Sequence, residues 1–161
     1  MDSLSQNMMQ PNIDAQVVET LTKISSTIDG GGRDALPLVT EFNRIADTDL
    51  TFEDFQGISG SEDHETFVRR LLITNSTMAD PTLDRDKLVE IFEKVLANVC
   101  DEDFLAYAFA SIEKTFGVSD VSELVFWPGS FFGDGNDQRE LKPTEMADAI
   151  LDRRENQNKL R

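Results

Sequence analysis

Cysteine, histidine and tryptophan each occur once in the 161 residues, and these scarcities exclude several kinds of site. The one cysteine, Cys100, cannot form a disulfide within the chain and has no evident activating partner in the sequence, which favours a reducing, cytoplasmic compartment. The one histidine, His64, leaves no cluster of ligands for zinc and predicts no histidine-based catalytic triad. We expect His64 to be a solvated residue in the first turn of a helix.

Basic residues are also few, because 15 Lys and Arg stand against 31 Asp and Glu, for a formal net charge of -16. Contacts with phosphate need Lys and Arg, so this balance argues against nucleic acid and against anionic membrane surfaces as partners. No apolar run is long enough to span a membrane, and the N-terminus has no basic region followed by an apolar one. The charge favours a basic protein partner, or it serves solubility.

Motifs for catalysis and for cofactor binding are missing. There is no Gly-x-Ser-x-Gly sequence, and the glycines at 30–32 follow no strand and precede no lysine, so we expect a turn there. Acidic stretches near Asp54 and Asp134 match parts of a calcium-binding EF-hand loop, but both lack its glycine at position 6. We therefore predict no enzyme, no cofactor and no metal; an enzyme that uses clustered carboxylates with a metal is the least favoured alternative.

Apolar residues recur at helical spacing through most of the chain. Ile13, Val17, Leu21, Ile24 and Ile28, for example, follow one another at steps of three and four. No segment shows the alternation of a strand, so the sequence predicts an all-α helical bundle. Eight helices are expected, over residues 12–28, 34–46, 48–55, 61–73 (capped by Ser61), 84–99, 101–116, 120–127 and 143–154.

A polar segment around Asp80 and Pro81 divides the predicted helices into two halves. Each half runs long, long, short, long, which predicts two tandem copies of one four-helix unit. A single eight-helix domain without a repeat is the alternative. The expected segments are a disordered leader (1–11), an N-terminal unit (12–75), a linker (76–82), a C-terminal unit (83–155) and a polar tail (156–161).

Residues 122–128, Ser-Glu-Leu-Val-Phe-Trp-Pro, contain the only tryptophan. Asp120 and Glu123 predict a capping box at the start of a helix, which a proline and a glycine then end within about two turns. So short a helix is unstable in water, so its apolar residues must pack on something. Phe126 and Trp127 are then either part of the core or an exposed anchor for a partner.

This heptapeptide resembles the Ser-Asp-Leu-Ile-Tyr-Tyr-Pro stretch of the colicin E-type and pyocin immunity proteins. Those are small acidic four-helix proteins that bind and neutralise nuclease bacteriocins. The resemblance extends over residues 83–155, with 101–116 in the place of the family's second helix and Lys142-Pro143-Thr144-Glu145-Met146 at the start of its last. It implies an immunity protein with a nuclease-type toxin as partner. An acidic helical adaptor without a toxin partner is the alternative, and the oligomeric state is left open.

In that family the second helix gives specificity and the short third helix supplies the shared anchor. By position, the resemblance implies a specificity element of Asp101, Glu102, Asp103 and Glu113, and an anchor of Ser122, Glu123, Phe126, Trp127 and Pro128. The sequence departs from the family where Phe-Trp replaces the tyrosine pair, where glutamate replaces aspartate, and in the longer loop 129–142 with its two added phenylalanines.

Overall fold

The computed structural model describes residues 10–60 and 62–159, without the side chain of Ser59. Within these ranges the chain is helical and has no strand, so the prediction of an all-α protein is confirmed for them. Their eight α-helices, α1 to α8, span Ala15–Gly30, Leu36–Ala46, His64–Ser76, Arg85–Ala97, Glu102–Phe116, Val121–Phe126, Pro128–Phe132 and Pro143–Lys159. Three short 3-10 helices span Arg33–Ala35, Phe52–Phe55 and Ile58–Gly60.

The first of two compact units comprises Pro11–Ser76. Helix α1 begins where the Asp14 carboxylate accepts the N–H groups of the next turn, and it packs against both α2 and α3. The core is built around three phenylalanine rings, with centroids 4.9 to 6.4 Å apart, at Phe42, Phe55 and Phe67. The 3-10 helix Phe52–Phe55 places the Phe55 ring in this core and contacts α1.

The second unit begins at Thr77 and has a core of its own. Helix α4 packs along α8 and also contacts α5, while the short α6 lies against α5, α7 and α8. Burial of one large apolar side chain contributes about 1.5–3 kcal/mol, so a handful of such residues holds the unit together. The largest fully buried side chains of this core are Phe92, Leu88, Ile91, Ile112, Leu124 and Ile150.

Several predicted boundaries differ from the observed ones. Helix α8 continues through the segment expected to be a tail, as far as Lys159, because Arg, Glu and Gln extend an established helix at little cost. Helix α4 ends at Ala97, which leaves Val99 exposed although the pattern placed it on the core face. None of the helices in the described ranges is both long and apolar enough to cross a membrane.

The segment expected as a linker is attached to α5. The Lys114 ammonium donates to the Thr77 carbonyl at 2.5 Å, and the Asp80 N–H donates to the Thr115 hydroxyl at 2.8 Å. The expected leader lies, for residues 1–9, outside the described residues, as do the predicted Ser61 cap and the last two residues of the tail.

Candidate partner-binding surface

The N-terminus of α5 carries the acidic residues that the resemblance assigned to specificity. The Asp101 carboxylate accepts the Phe104 N–H at 3.0 Å and so caps the helix, while Glu102 and Asp103 lie in its first turn. Negative charge at a helix N-terminus is stabilised by the helix dipole. Asp101 and Glu102 are exposed and Asp103 is half-buried. Asp101 therefore has a structural role as a cap while its side chain stays accessible, as does that of Glu102.

The turn between α5 and α6 is built differently from the predicted capping box. Asp120 adopts the left-handed conformation (φ 61°), and its carboxylate accepts from the Ser119 hydroxyl and makes no cap hydrogen bond. The cap comes instead from Glu113, whose Oε1 accepts the Val121 N–H at 3.2 Å. Burial raises the pKa of Glu113, and the Val121 N–H offsets part of this effect. Glu113 is thus a half-buried group with a structural role that the sequence did not predict, and its assignment to a partner-binding face stays a prediction.

Trp127 joins two short helices through its backbone. Its N–H donates to the Glu123 carbonyl at 2.7 Å and closes α6, and its own carbonyl accepts the Ser130 N–H at 2.9 Å and opens α7. Helix α6 ends at Phe126, before the proline as expected, and Pro128 then begins α7, where its missing N–H costs nothing. Pro128 is buried in this conformation, and its contact with a partner stays a prediction.

The side chains of the predicted anchor lie at the surface. Trp127 is 60% exposed and Phe126 is 42% exposed, so the prediction that both are at least partly exposed is confirmed, and placement in the core is wrong. Phe126 packs edge-on against Phe109 of α5, with ring centroids 6.4 Å apart. Ser122 and Glu123, on α6, are half-buried. A role for these residues in binding stays a prediction.

Phe109 connects the anchor to the acidic end of α5. It lies seven residues after Glu102, so the two share one face of the helix, with α-carbons about 10 Å apart. Sequence reasoning placed Phe109 in the core, but it is only half-buried there. An acidic group and an exposed aromatic cluster of Phe109, Phe126 and Trp127 are thus presented by neighbouring helices.

Arg153 of α8 holds the α6–α7 segment in place, a role that the sequence did not predict. Its guanidinium donates to the carbonyls of Ser119 and Phe131 and lies over the Phe131 ring, 3.5 Å from the centroid. These contacts tie both ends of the α6–α7 segment to α8. The contacts span 34 and 22 residues of sequence, and no local pattern marks them.

The loop after α7 folds back on Gly129. The Gly129 carbonyl accepts the Asp134 N–H at 3.0 Å, and its N–H donates to the Asp137 carboxylate at 2.9 Å. A Cβ at this position would lie 2.4 Å from the Asn136 nitrogen, so only glycine fits. This packing fixes α7 and leaves the side chain of Phe132 44% exposed.

The first unit contains a network of hydrogen bonds around His64 that the sequence did not predict. Ser25 Oγ lies 2.6 Å from His64 Nδ1, and His64 Nε2 lies 3.1 Å from Asp29 Oδ2. Ser25 and Asp29 are four residues apart on α1, and the start of α3 brings His64 over them. His64 is therefore nearly buried, not solvated as predicted. Since Ser25 has no exposed surface, its hydroxyl cannot meet a substrate here, and the network acts to join α1 to α3.

No group of three or more His, Cys, Asp or Glu residues suited to a metal ion occurs within the described residues. Cys100 is exposed. Comparison of the chain with protein-family models, with curated proteins and with solved structures found no match. The exposed residues at the start of α5 and at the α6–α7 junction are therefore the basis for a proposed function.

Proposed function

We propose that this chain is an immunity protein that binds a basic, nuclease-type toxin and blocks its activity. The observation that carries the proposal is the exposed pair Phe126–Trp127, held in fixed position on a strongly acidic chain. Exposed tryptophans on rigid elements are enriched among the residues that dominate binding energy. The net charge of -16 complements the basic surface with which a nuclease holds phosphate.

The order of elements supports the proposal. The second unit has two long helices, a short helical segment and a long last helix, the arrangement that the resemblance implies. We further propose that the first unit is a diverged copy. In each unit the first helix packs against both the second and the last.

The proposed mechanism is occlusion. The acidic protein docks beside the toxin's substrate cleft and excludes nucleic acid by its bulk and by like-charge repulsion. Charge complementarity accelerates association, while desolvated aromatic anchors slow dissociation. The inhibitor needs no catalytic group for this task.

The proposed contact residues differ in how far they are accessible. Asp101, Glu102, Phe126 and Trp127 are exposed, and Asp101 also caps α5. Asp103, Glu113, Ser122 and Glu123 are half-buried, and Pro128 is buried. Docking through the four exposed residues needs no rearrangement of these helices.

The decisive experiment first tests whether the product of the neighbouring gene co-purifies with this chain as its toxin, and then measures the binding kinetics of Trp127→Ala against that product. Loss of the indole should weaken binding by about 2 kcal/mol or more, roughly 30-fold, chiefly through faster dissociation. The free energy of unfolding should change little, because most of the indole is already in water. Leu36→Ala, which removes a side chain of similar exposure (45%) from the first unit, is the matched control.

A second variant distinguishes the effect of charge on the association rate from the effect of the aromatic anchor on the dissociation rate. Asp101→Asn, Glu102→Gln and Asp103→Asn together remove three charges but keep the cap of α5, because Asn caps as well as Asp. Association should slow and lose part of its salt dependence, while dissociation should change little. An unaltered dissociation rate for Trp127→Ala would end the anchor proposal.

The alternative, an adaptor without a toxin partner, would use the same exposed aromatics. The loss of the family's tyrosine hydroxyls at Phe126 and Trp127 favours a changed partner. Inhibition assays discriminate between the two functions, because an immunity protein abolishes the nuclease activity of its partner at equimolar ratio and an adaptor does not.

A further inference from the structure

A cleft of about 500 Å³ opens in the second unit between α8 and the loop that follows α7. Its apolar lining comes from Phe132, Leu141 and Ala149, and its rim is acidic. A neighbouring cavity of about 430 Å³ shares Phe132, Ala149 and Asp152 with it, so the groove continues along α8. None of the specificity or anchor residues implied by the resemblance lines this cleft.

Apart from Glu145, which accepts the Lys142 N–H at 3.0 Å, the carboxylates of the cleft fall into two groups. Arg139 pairs with Asp134 and lies over the Phe132 ring, 4.4 Å from its centroid, and Arg85 pairs with Asp148 at 2.8 Å. The Arg85 hydrogen bond accordingly holds the pKa of Asp148 below its usual value.

The second group comprises Glu140 and Asp152, which are exposed and make no hydrogen bond or ion pair with any residue in the described ranges. The arginine that lines the cleft within the described residues, Arg139, is paired with Asp134, so it does not balance these two charges. The carboxylates of the lining outnumber this arginine, and the cleft is therefore negative.

We propose that this cleft binds an arginine side chain in a basic segment of the partner. Arginine combines an apolar stem, which fits the lining of Phe132, Leu141 and Ala149, with a charged fork that binds carboxylates. Glu140 and Asp152 receive the guanidinium. The inference deepens the proposed function and rests on it for the identity of the partner, to which it adds a second contact apart from Trp127.

The cleft is tested directly with the full chain and a short probe, the peptide acetyl-Gly-Arg-Gly-Arg-Gly-amide, by amide chemical-shift titration. The largest shifts should map to Phe132, Glu140, Leu141, Ala149 and Asp152. Glu140→Gln with Asp152→Asn should weaken binding at least fivefold. The matched control, Asp86→Asn with Glu93→Gln, removes two exposed charges from α4 and should weaken it less than twofold.

A peptide with citrulline in place of arginine keeps the shape and loses the charge, and it should not bind. Equal weakening by both double variants, or shifts spread over the whole acidic surface, would mean general charge attraction and would overturn the inference. So would equal binding of the citrulline peptide.

The same variants then separate this inference from the proposed function. If the wild-type chain inhibits its toxin, Glu140→Gln with Asp152→Asn should raise the Kd for the toxin at least fivefold, and an unchanged Kd would overturn the cleft as a partner contact. If the wild-type chain fails to inhibit the toxin, the proposed function is wrong, and the peptide titration still decides whether the cleft binds arginine.

Discussion

Each unit has a short helical segment between its long helices, and the two segments differ in how many aromatic side chains they leave at the surface. In the first unit the 3-10 helix Phe52–Phe55 sends Phe55 into the core, where its ring packs against Phe42 at 4.9 Å. In the second unit the short helices α6 and α7 leave Phe126, Trp127 and Phe132 at the surface. The short segment of the first unit thus places an aromatic ring in the core, whereas the short helices of the second unit leave three aromatic rings exposed to solvent.

The short segments of the two units are held in place by different kinds of contact. The first unit fixes its 3-10 helix with a local capping box, in which the Thr51 and Asp54 side chains bind each other's backbone N–H groups. The second unit fixes α6 and α7 with distant polar groups, Glu113 of α5 and Arg153 of α8. Surface aromatics contribute little to folding, so these charged side chains from two long helices add to the core contacts that Val121, Leu124 and Phe131 make.

The largest expected effect compares the aromatic residues of the two short segments. Phe55→Ala should lower the free energy of unfolding by about 3–5 kcal/mol, because it empties a fully buried site between two rings. Phe126→Ala should cost no more than about 1 kcal/mol, because the ring is 42% exposed and its one ring contact is with Phe109. Urea unfolding followed by far-UV circular dichroism measures both. Equal losses of unfolding free energy in the two variants would show that Phe126 contributes to the core as much as Phe55 does.

A smaller effect is expected at the glycines. Gly129→Ala should cost about 1–3 kcal/mol, since the new Cβ would lie 2.4 Å from the Asn136 backbone and the loop must move. Gly30→Ala, at the end of α1, is the control: its Cβ would meet nothing within 4 Å, and the change should be neutral or stabilise by up to about 1 kcal/mol. Thermal unfolding of both variants checks the pair. A Gly129→Ala protein as stable as the wild type would mean that the loop is not packed on Gly129.

The smallest expected effect concerns Glu113 and depends on pH. Its pKa is raised in the folded state by burial, so its contribution to stability is fully present below the unfolded pKa and is lost as the pH rises through the folded pKa. Glu113→Gln keeps an oxygen that can accept the Val121 N–H and removes this dependence. The variant should therefore gain on the wild type as the pH rises from about 4 to 7, by less than about 1 kcal/mol.

Glu113→Ala provides the control for that measurement. It removes the cap as well as the titrating carboxyl, so it should be less stable than Glu113→Gln by about 1 kcal/mol at every pH in the range and should follow the same trend with pH. If the stability of Glu113→Gln relative to the wild type stays constant or falls as the pH rises, the assignment of a raised pKa is wrong.

Helical periodicity allowed most of the fold to be predicted from the sequence. The positions of the long helices follow from apolar residues at steps of three and four, which only a helix brings to one face. The exposure of Trp127 was one of two stated possibilities, and the sequence could not choose between them. That choice depends on what covers the ring, which is a property of packing and not of local pattern.

What could not be predicted rests on contacts between distant residues. The cap of α6 comes from Glu113 and not from Asp120, and Ser25 meets His64 across 39 residues. One signal for the second case was available, because Ser25 and Asp29 interrupt the apolar stripe of α1 four residues apart. Two polar groups on an inward face call for a polar partner, and the chain has one histidine.

The position of Trp127 makes the proposed interface visible by optical means. It is the only tryptophan in the chain, and its indole lies mostly in water. Excitation at long ultraviolet wavelength therefore reports one side chain, whose emission moves to shorter wavelength when a partner excludes water from it. A partner without tryptophan could be titrated against the unlabelled protein, and the wavelength of maximum emission would give occupancy of the anchor itself.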